Sequence, residues 1–228
     1  MKIEVLPFSK SYQAYYHAIE ECMSAGQCIL EVGGGAHPSL QDRSQVEYTI
    51  VDPDQEELLK APTDIRQIRS TAQEMQSDKT YDLVVSKMVL EHVPNPESFH
   101  KSVLRLLKPG GRAIHFFACR NSLPAWVNRF LPESWGEGIL KVLKNRDLTD
   151  QPKYEAHYKR VGGPTRKQIR SFEKLGYNVE QYTGFVGHKY LQAVPILRQL
   201  ERLYSSLLLS VSAKRMSTVA LLVLTKPK

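Results

Sequence analysis

The sequence predicts one α/β domain of 228 residues, in which helices cover both faces of a doubly wound, mostly parallel sheet of seven strands. Short apolar segments recur along the chain and alternate with helix-like amphipathic segments. The first apolar segment ends in three glycines, which is typical of a strand that leads into a ligand-binding turn. The composition, 42% hydrophobic and 24% charged residues, is that of a globular domain with a core.

The elements are predicted in order along the chain. Residues 1–27 supply a leading helix that Ser9 caps and Gly26 ends, and residues 28–118 form a core of strands and helices. Helices are expected over 53–60, 96–111 and 165–176, and strands over 27–33, 46–52, 64–69, 81–86, 111–118, 177–184 and 215–226.

Two insertions interrupt the second half of the sheet. Residues 119–163 are long, irregular and rich in Pro, Trp, Arg and Asn, which predicts a lid or substrate-facing segment. Residues 164–228 complete the sheet and contain a helical insertion over 184–214, in which a helix starts at Pro195. Its apolar side chains pack on the domain, on a second copy, or on a membrane surface through residues 195–211. These side chains are Ile196, Leu197, Leu200, Leu203, Tyr204, Leu207, Leu208 and Val211.

The net charge of +7 is unevenly distributed. Residues 1–100 carry 8 Lys/Arg and 16 Asp/Glu, whereas residues 101–228 carry 23 and 8. The basic half predicts an anionic partner, and a solvated surface is the alternative. No signal peptide and no apolar run of membrane-spanning length are evident, so a cytoplasmic protein is expected, with three reduced cysteines.

The glycine turn over 33–35 lets a ligand approach the backbone closely at the start of a following helix. Dinucleotides and S-adenosylmethionine both use such a turn. Pro38 occupies the position of the third glycine in the dinucleotide pattern, which disfavours a dinucleotide. Asp52 ends the second core strand, where a carboxylate accepts hydrogen bonds from ribose hydroxyls; a simple Asp-Pro turn is the alternative.

Four segments in order, EVGGGAHP, TIVDPD, YDLVVSKMVLEHV and LKPGG, resemble the class I S-adenosylmethionine-dependent methyltransferases, in particular the type 11-like subgroup. The resemblance spans residues 28 to about 118 and implies a Rossmann-like fold, with S-adenosyl-L-methionine as cofactor and S-adenosyl-L-homocysteine as product. The rest of the chain resembles, more loosely, methyltransferases that act on surface glycans and lipids.

The resemblance also implies site residues. Glu31 would face the methionine part beside the glycine turn, and Asp52 and Pro53 would hold the ribose and the adenine. The motif departs from the family at His37, which replaces a glycine, and at Thr71, where an aspartate is common. The implied cofactor-binding residues are Glu31, Gly33, Gly34, Gly35, Asp52, Pro53, Ala72, Gln73, Ser86 and Lys87.

A hydroxyl acceptor additionally requires a general base, for which His92, His157 and Tyr158 are the catalytic candidates. Basic side chains and a histidine from both insertions are expected to bind the substrate: Arg120, Lys159, Arg160 and His188. No cluster has metal-ligand spacing, so no metal is expected.

These observations predict methyl transfer, by in-line displacement and to oxygen, onto a small-molecule, glycan or lipid-linked acceptor that carries phosphate or another anion. An RNA methyltransferase is the first alternative because the second half of the chain is so basic. A protein that binds the cofactor without turnover is another, and a nicotinamide oxidoreductase is a distant one.

Overall fold

The computed structural model describes residues 1–122, 154–188 and 195–228. In this part of the chain, eight strands form one sheet. They are β1 (Lys2–Pro7), β2 (Cys28–Val32), β3 (Glu47–Asp52), β4 (Arg66–Arg69), β5 (Tyr81–Lys87), β6 (Leu107–Ala118), β7 (Asn178–Val186) and β8 (Val219–Thr225).

Helices separate most of the strands, but in the described residues none lies between β2 and β3 or between β4 and β5. The helices are α1 (Ser11–Cys22), α2 (Gln55–Leu59), α3 (Pro96–Leu106), α4 (Arg166–Glu173) and α5 (Pro195–Ser210), together with single 3-10 turns at Phe8–Lys10, Leu90–His92 and Lys214–Met216.

The strand order is β1–β7–β8–β6–β5–β2–β3–β4, and only β8 runs antiparallel to its neighbours. Strands β5 and β8 are buried along most of their length, as in sheets covered on both faces. One core packs Tyr15 and Ile19 of α1 against the sheet, and the opposite core packs Phe99 of α3 and Phe172 of α4. The predicted α/β class with a mostly parallel sheet is therefore confirmed.

The strand count of seven was wrong, because the stretch assigned to the leading helix begins with β1. Lys2 pairs with Gln181 and Pro7 with Val186, so β1 extends the sheet beyond β7. The helix itself starts at Ser11 rather than Ser9, and its N-cap residue Lys10 makes no side-chain capping bond. The short KIEVLP segment finds its partner about 180 residues away, which no local pattern reveals.

Two boundaries also shift. Strand β7 continues to Val186, so the second insertion starts after that residue rather than at 184. The LKPGG segment lies inside β6, where a register shift separates Leu107 from Arg112 and Gly110 has φ +78°. Residues 123–153 of the first insertion and 189–194 of the second lie outside the described residues.

The segment after β2 differs from the expected strand-to-helix turn. Residues 33–46 form bends and turns, and no helix follows the glycines before β3 begins. The turn therefore offers main-chain groups without the N-terminus of a helix behind them.

Candidate active site

The carboxyl ends of four neighbouring strands bring most of the predicted cofactor residues to one edge of the sheet. Val32 of β2 pairs with Val51 of β3 and with Ser86 of β5, and Ser86 pairs with His115 of β6. The glycine turn, Asp52 and Lys87 each follow directly from these pairs. This edge is where doubly wound folds bind their ligands.

The glycine turn is held so tightly that side chains are excluded. Gly33 has φ +73°, donates its N–H to the Val51 carbonyl at 2.9 Å, and would place a Cβ 2.4 Å from Val89 Cγ2. A Cβ on Gly34 would lie 2.9 Å from the carboxyl carbon of Glu31. The left-handed backbone and the close neighbours together require glycine here.

Glu31 is buried, at 1% exposure, directly beneath this turn. Its carboxylate accepts hydrogen bonds from the Ser39 N–H at 2.8 Å, from the Ser39 hydroxyl at 2.5 Å and from the Tyr48 hydroxyl. Burial raises the pKa of Glu31, and the bonds from Ser39 and Tyr48 act in the opposite direction, as does the charge of Lys87. Through these hydrogen bonds the carboxylate stabilises the loop. Its contact with the methionine part of the cofactor stays a prediction.

Asp52 lies at the end of β3 with its carboxylate fixed by the main chain. The Asp54 N–H donates to Asp52 at 2.9 Å, and the Gly35 N–H also contributes a bond. Burial raises the pKa of Asp52, and so do the neighbouring carboxylates of Asp54 and Glu57. Glu57 also lies against Gly35. Asp54 and Glu57 are thus acidic neighbours of Asp52, the residue predicted to bind the ribose. Pro53, the next residue, is exposed.

The predicted adenine contacts differ in accessibility. The Ala72 side chain is packed in the core at 2% exposure, so only its main chain is available to a ligand, whereas Gln73 is half-buried. Thr71 does not point a free hydroxyl at the site, because it donates to Glu74 at 2.9 Å and accepts from the Glu74 N–H.

Ser86 and Lys87 behave differently at the end of β5. The Ser86 hydroxyl is fully buried and bonded to His115 Nδ1 at 2.8 Å, and burial lowers the pKa of His115 to about 3. The Lys87 ammonium lies 3.4 Å from both the Tyr16 hydroxyl and the His37 carbonyl. Met88, the next residue, has φ +58°, and a non-glycine residue in this region often marks a functional site.

Residues 154–160 run along the same edge and contact the loop that follows β5. The N–H groups of His157 and Tyr158 both donate to the Glu91 carbonyl, at 2.8 and 3.0 Å. His92 Nδ1 lies 3.0 Å from the Glu155 carbonyl, and its ring lies 6.0 Å from the Tyr154 ring. The three catalytic candidates are therefore brought together, and His157 also lies 3.7 Å from the Glu155 carboxylate.

The four predicted substrate residues are more dispersed. Arg120 is exposed just after β6, and its N–H bonds to Val161. Lys159 donates to the Pro94 carbonyl at 3.0 Å and Arg160 lies 3.8 Å from Glu97, so both also fasten residues 154–160 to the loop and to α3. His188 is buried after β7, and burial lowers its pKa. Their role in substrate binding stays a prediction.

Sequence reasoning missed two residues of this edge. The Tyr154 hydroxyl donates to Asp54 at 2.8 Å, which links the segment 154–160 to the end of β3. Glu91 is buried at 2% exposure next to Ala118 N, and burial raises its pKa to about 7. No local signal marks Tyr154, which lies 100 residues from its partner. Glu91 was visible in the LEHV motif, but only its neighbour His92 was singled out.

The donor set fits a nucleoside cofactor. The Asp52 carboxylate lies at the end of β3, where it can accept hydrogen bonds from a ribose. Nearby, Glu57 pairs with Lys60 Nζ at 2.7 Å, and Asp54 accepts a hydrogen bond from the Tyr154 hydroxyl. Among the described residues, no group of three or more His, Cys, Asp or Glu is placed to hold a metal ion. None of the described helices is long and apolar enough to cross a membrane.

Comparison with known proteins decides the family. Residues 10–184 match a family model described as a methyltransferase domain. The chain belongs to this family of methyltransferases. Its fold and motifs are those of the class I S-adenosylmethionine-dependent enzymes, and S-adenosylmethionine is the cofactor that this assignment carries.

Individual methyltransferases resemble parts of the chain. An uncharacterized methyltransferase from Mycobacterium sp. strain KMS is 31% identical over 105 residues, which are 43% of this chain and 42% of that protein. A ubiquinone biosynthesis O-methyltransferase from Shewanella pealeana is 31% identical over 129 residues, which are 52% and 53% of the two chains. The matches thus span about half the length of these curated relatives.

A solved structure supports the fold over nearly the whole chain. Haemonchus contortus phosphoethanolamine N-methyltransferase 2, crystallised with phosphomonomethylethanolamine and S-adenosylhomocysteine, superposes with a TM-score of 0.59 at 15% identity. The match covers 95% of this methyltransferase and 53% of that chain.

Proposed function

We propose that the protein transfers the methyl group of S-adenosylmethionine to oxygen of a small acceptor that carries phosphate or another anionic group. A glycan, a lipid-linked intermediate or another small molecule of this kind meets the description. The acceptor would bind at the carboxyl ends of β5 and β6, beside the cofactor. The membrane contact predicted for residues 195–211 stays a prediction.

The distribution of charge at the carboxyl ends of the site's strands supports this proposal. Asp52 at the end of β3 suits the ribose of the cofactor, and Glu31 beneath the glycine turn suits its ammonium group. Lys87 ends β5 and Arg120 follows β6, two strands that lie side by side. Opposite charges along one edge favour a cationic ligand at one place and an anionic ligand at the next.

His92 is the proposed general base, because its hydrogen bond fixes its tautomer. The Glu155 carbonyl can only accept, so the Nδ1 atom of His92 carries the proton in that bond. The Nε2 atom of the neutral ring then keeps its lone pair and can take a proton from an acceptor hydroxyl. The approach of the acceptor to the methyl group, held in line, supplies the rest of the catalysis.

The relatives are consistent with this acceptor class without deciding between oxygen and nitrogen. The Shewanella relative is named for O-methylation in ubiquinone biosynthesis, and the Haemonchus structure holds a phosphorylated amine. Both names belong to those proteins.

The cofactor half of the proposal is tested with Asp52→Ala. Loss of hydrogen bonds from the ribose to a charged acceptor is expected to weaken S-adenosylhomocysteine binding roughly 10- to 150-fold in calorimetric titration. Asp52→Asn keeps one acceptor oxygen and is expected to lose less. Asp78→Ala removes an exposed aspartate and serves as the matched control. Equal affinity in Asp52→Ala and Asp78→Ala would contradict the ribose role.

The acceptor half is tested by transfer of labelled methyl groups to phosphorylated, carboxylated and neutral hydroxyl compounds. Arg120→Glu is expected to raise KM for anionic acceptors while leaving S-adenosylhomocysteine affinity unchanged. Arg66→Glu is the control, because it makes the same reversal of charge at the amino end of β4, away from the carboxyl ends where the site lies. Transfer to RNA with steep salt dependence would instead support an RNA methyltransferase, and cofactor binding without transfer to any acceptor would support a binding protein.

The role of His92 is tested with His92→Asn, whose amide can still donate to the Glu155 carbonyl. The expected result is a fall in kcat of about 10²- to 10⁴-fold with cofactor affinity retained. An unchanged kcat with hydroxyl acceptors would rule out His92 as the base.

A further inference from the structure

The Tyr154 side chain joins two parts of the candidate site that the sheet keeps apart. Its hydroxyl donates to Asp54 Oδ2 at 2.8 Å, just past β3, and its ring lies 6.0 Å from the ring of His92, in the loop after β5. Strand β2 lies between β3 and β5, so these two strands are about 10 Å apart. The tyrosine therefore spans the carboxyl end of β2, where the glycine turn begins.

Asp54 is held in one orientation by the main chain around it. Its Oδ1 atom accepts hydrogen bonds from the N–H groups of Glu56 and Glu57, at 2.9 and 3.3 Å, and so caps α2. The N–H of Asp54 donates to Asp52 at 2.9 Å. The Oδ2 atom is therefore presented to Tyr154 from a fixed position beside the residue predicted to bind the ribose.

The Tyr154 hydroxyl keeps its proton in this environment. Partial burial raises the pKa of Tyr154, and so do its bond to Asp54 and the negative charges of Asp54, Asp52 and Glu57. The same bond lowers the pKa of Asp54, so the acceptor is a carboxylate. Hydrogen bonds to charged acceptors are stronger than those between neutral groups. The contact between Tyr154 and Asp54 is therefore a firm one.

The other end of this link fixes His92. The carbonyl of Glu155, the residue after Tyr154, lies 3.0 Å from His92 Nδ1. The Glu155 side chain is 85% exposed, so the position of its carbonyl depends mainly on the neighbouring residues of the chain. On one side the Tyr154 hydroxyl is bonded, and on the other the N–H of His157 donates to the Glu91 carbonyl at 2.8 Å.

The backbone of segment 154–160 indicates that its conformation is imposed by such contacts. Tyr158 and Arg160 have φ +48° and +57°, in the left-handed region that non-glycine residues seldom adopt. Such conformations persist where surrounding contacts determine them, and they cluster at active sites. Lys159 bonds to the Pro94 carbonyl and Arg160 lies near Glu97. Residues 158–160 are thus anchored beside α3, and Tyr154 provides the anchor beside β3.

We propose that Tyr154 is a positioning residue for His92. Its bond to Asp54 holds the Glu155 carbonyl in place, and that carbonyl keeps the His92 ring in the tautomer protonated at Nδ1. The Nε2 atom then stays free to take the proton of an acceptor hydroxyl. The consequence for methyl transfer rests on the proposed function, which makes His92 the base, whereas the effect on the tautomer does not.

The tautomer is tested first, without acceptor or cofactor, by nitrogen NMR of the chain with isotope-labelled histidine at alkaline pH, where histidine rings are neutral. His92→Asn assigns the signal of His92 among the seven histidines. The native ring is expected to be protonated at Nδ1. Tyr154→Phe keeps the aromatic ring and loses only the hydroxyl, and it should show a mixture with the form protonated at Nε2. An undiminished Nδ1 form in Tyr154→Phe would overturn the proposal.

Transfer kinetics measure the effect on the proposed reaction. Tyr154→Phe is expected to lower kcat with hydroxyl acceptors about 10- to 100-fold, the loss typical of one hydrogen bond to a charged group, and to change S-adenosylhomocysteine affinity less than about three-fold. Tyr204→Phe removes the same atom from α5, which contacts β1 and β7, and should match the native chain. An unchanged kcat in Tyr154→Phe, with kcat reduced in His92→Asn, contradicts the positioning role. If His92→Asn also retains its kcat, the base assignment fails and the tautomer alone decides the role of Tyr154.

Asp54→Ser provides the matched loss on the other side of the bond. Serine still caps α2 but is too short to reach Tyr154, so kcat should fall by the same factor as in Tyr154→Phe. The double variant should lose nothing more, because both changes remove one interaction. Asp54→Asn keeps the cap and can donate its amide to the Tyr154 hydroxyl, so most of kcat should remain. Additive losses in the double variant would show that the two side chains do not act through one bond.

Two further outcomes would overturn the positioning role in favour of another. A higher affinity for S-adenosylhomocysteine in Tyr154→Phe would show that the native side chain competes with the cofactor for its place. A lower affinity with unchanged kcat would show that Tyr154 binds the cofactor itself and does not act through His92.

Discussion

The two halves of the sheet are built from different kinds of interaction. Around β2, β3 and β5, the site depends on main-chain conformation and buried polar atoms, such as the φ of Gly33 and the bonds to Glu31. Around β7 and β8, the structure depends on side-chain packing, with Phe172 of α4 fully buried near Tyr182. The first half can lose function through a small change of backbone, and the second loses stability through a lost side chain.

The packing half is expected to show the largest effect. Phe172→Ala removes a fully buried ring that lies 5.1 Å from the ring of His100, so it should lower the free energy of unfolding by about 3–5 kcal/mol in urea titration. S-adenosylhomocysteine affinity measured on the folded fraction should stay unchanged. Lys174→Ala, at an exposed site just past the same helix, should cost less than about 0.5 kcal/mol. A loss of affinity in Phe172→Ala would break the distinction between the halves.

Glu91, between the two halves, should make stability depend on pH. Its pKa of about 7 in the folded protein lies above the ordinary value near 4.5, so the folded state keeps a proton that the unfolded state releases between these values. The stability contributed by protonated Glu91 is complete below about pH 4.5, falls as pH rises, and is lost by about pH 7, a change of about 3 kcal/mol. Glu91→Gln, which keeps an acceptor for Ala118, should remove this slope.

If the free energy of unfolding changes with pH equally in the native chain and in Glu91→Gln across that pH window, Glu91 is not the titrating group. The comparison of the two proteins is needed because His115 titrates in the opposite sense. Its pKa of about 3 lies below the ordinary value near 6.5, so the stability that neutral His115 contributes is lost as pH falls through that range.

In the cofactor half, the substitution with the most direct functional consequence lies in the glycine turn. Gly33→Ala should cost about 1–2 kcal/mol for the left-handed backbone, with a further cost because Val89 must move, and should weaken S-adenosylhomocysteine binding. Gly26→Ala has a similar φ, +78°, but no atom within 4 Å of the added Cβ. Gly26→Ala should therefore lose stability but keep its affinity for S-adenosylhomocysteine. Reduced affinity in both variants would show that lower stability, and not the turn itself, weakens binding.

The sequence predicted the cofactor half better because its signals are local. Apolar runs ending in Gly33 and Asp52 indicated the strands and the carboxyl ends where the site lies, and four ordered segments indicated the family; the structure places Gly33 and Asp52 on neighbouring strands. The missing helix after Gly35 was not predictable from the glycines, since the strongest restraints on that loop are the bonds of Ser39 and Tyr48 to Glu31.

The other half depends on long-range contacts. Strand β1 forms through β7, Tyr154 reaches Asp54, and the apolar residues of α5 divide into a covered and an exposed side only when the domain is present. The helical period predicted one apolar face for α5. It did not predict how much of that face the domain covers, because coverage depends on contacts with distant parts of the chain. Catalytic and substrate roles stay predictions for the same reason.

The pairing of β1 with β7 sets an order of assembly during synthesis. Gln181, the partner of Lys2, leaves the ribosome about 180 residues after it, a delay of roughly 10–40 s at the usual rates of translation. Strands β2 to β6 can associate in that interval, whereas the outer edge of the sheet must wait for β7. Strand β1 thus remains unpaired until β7 has been made, and helix α5, which contacts both strands, can dock only after they have paired.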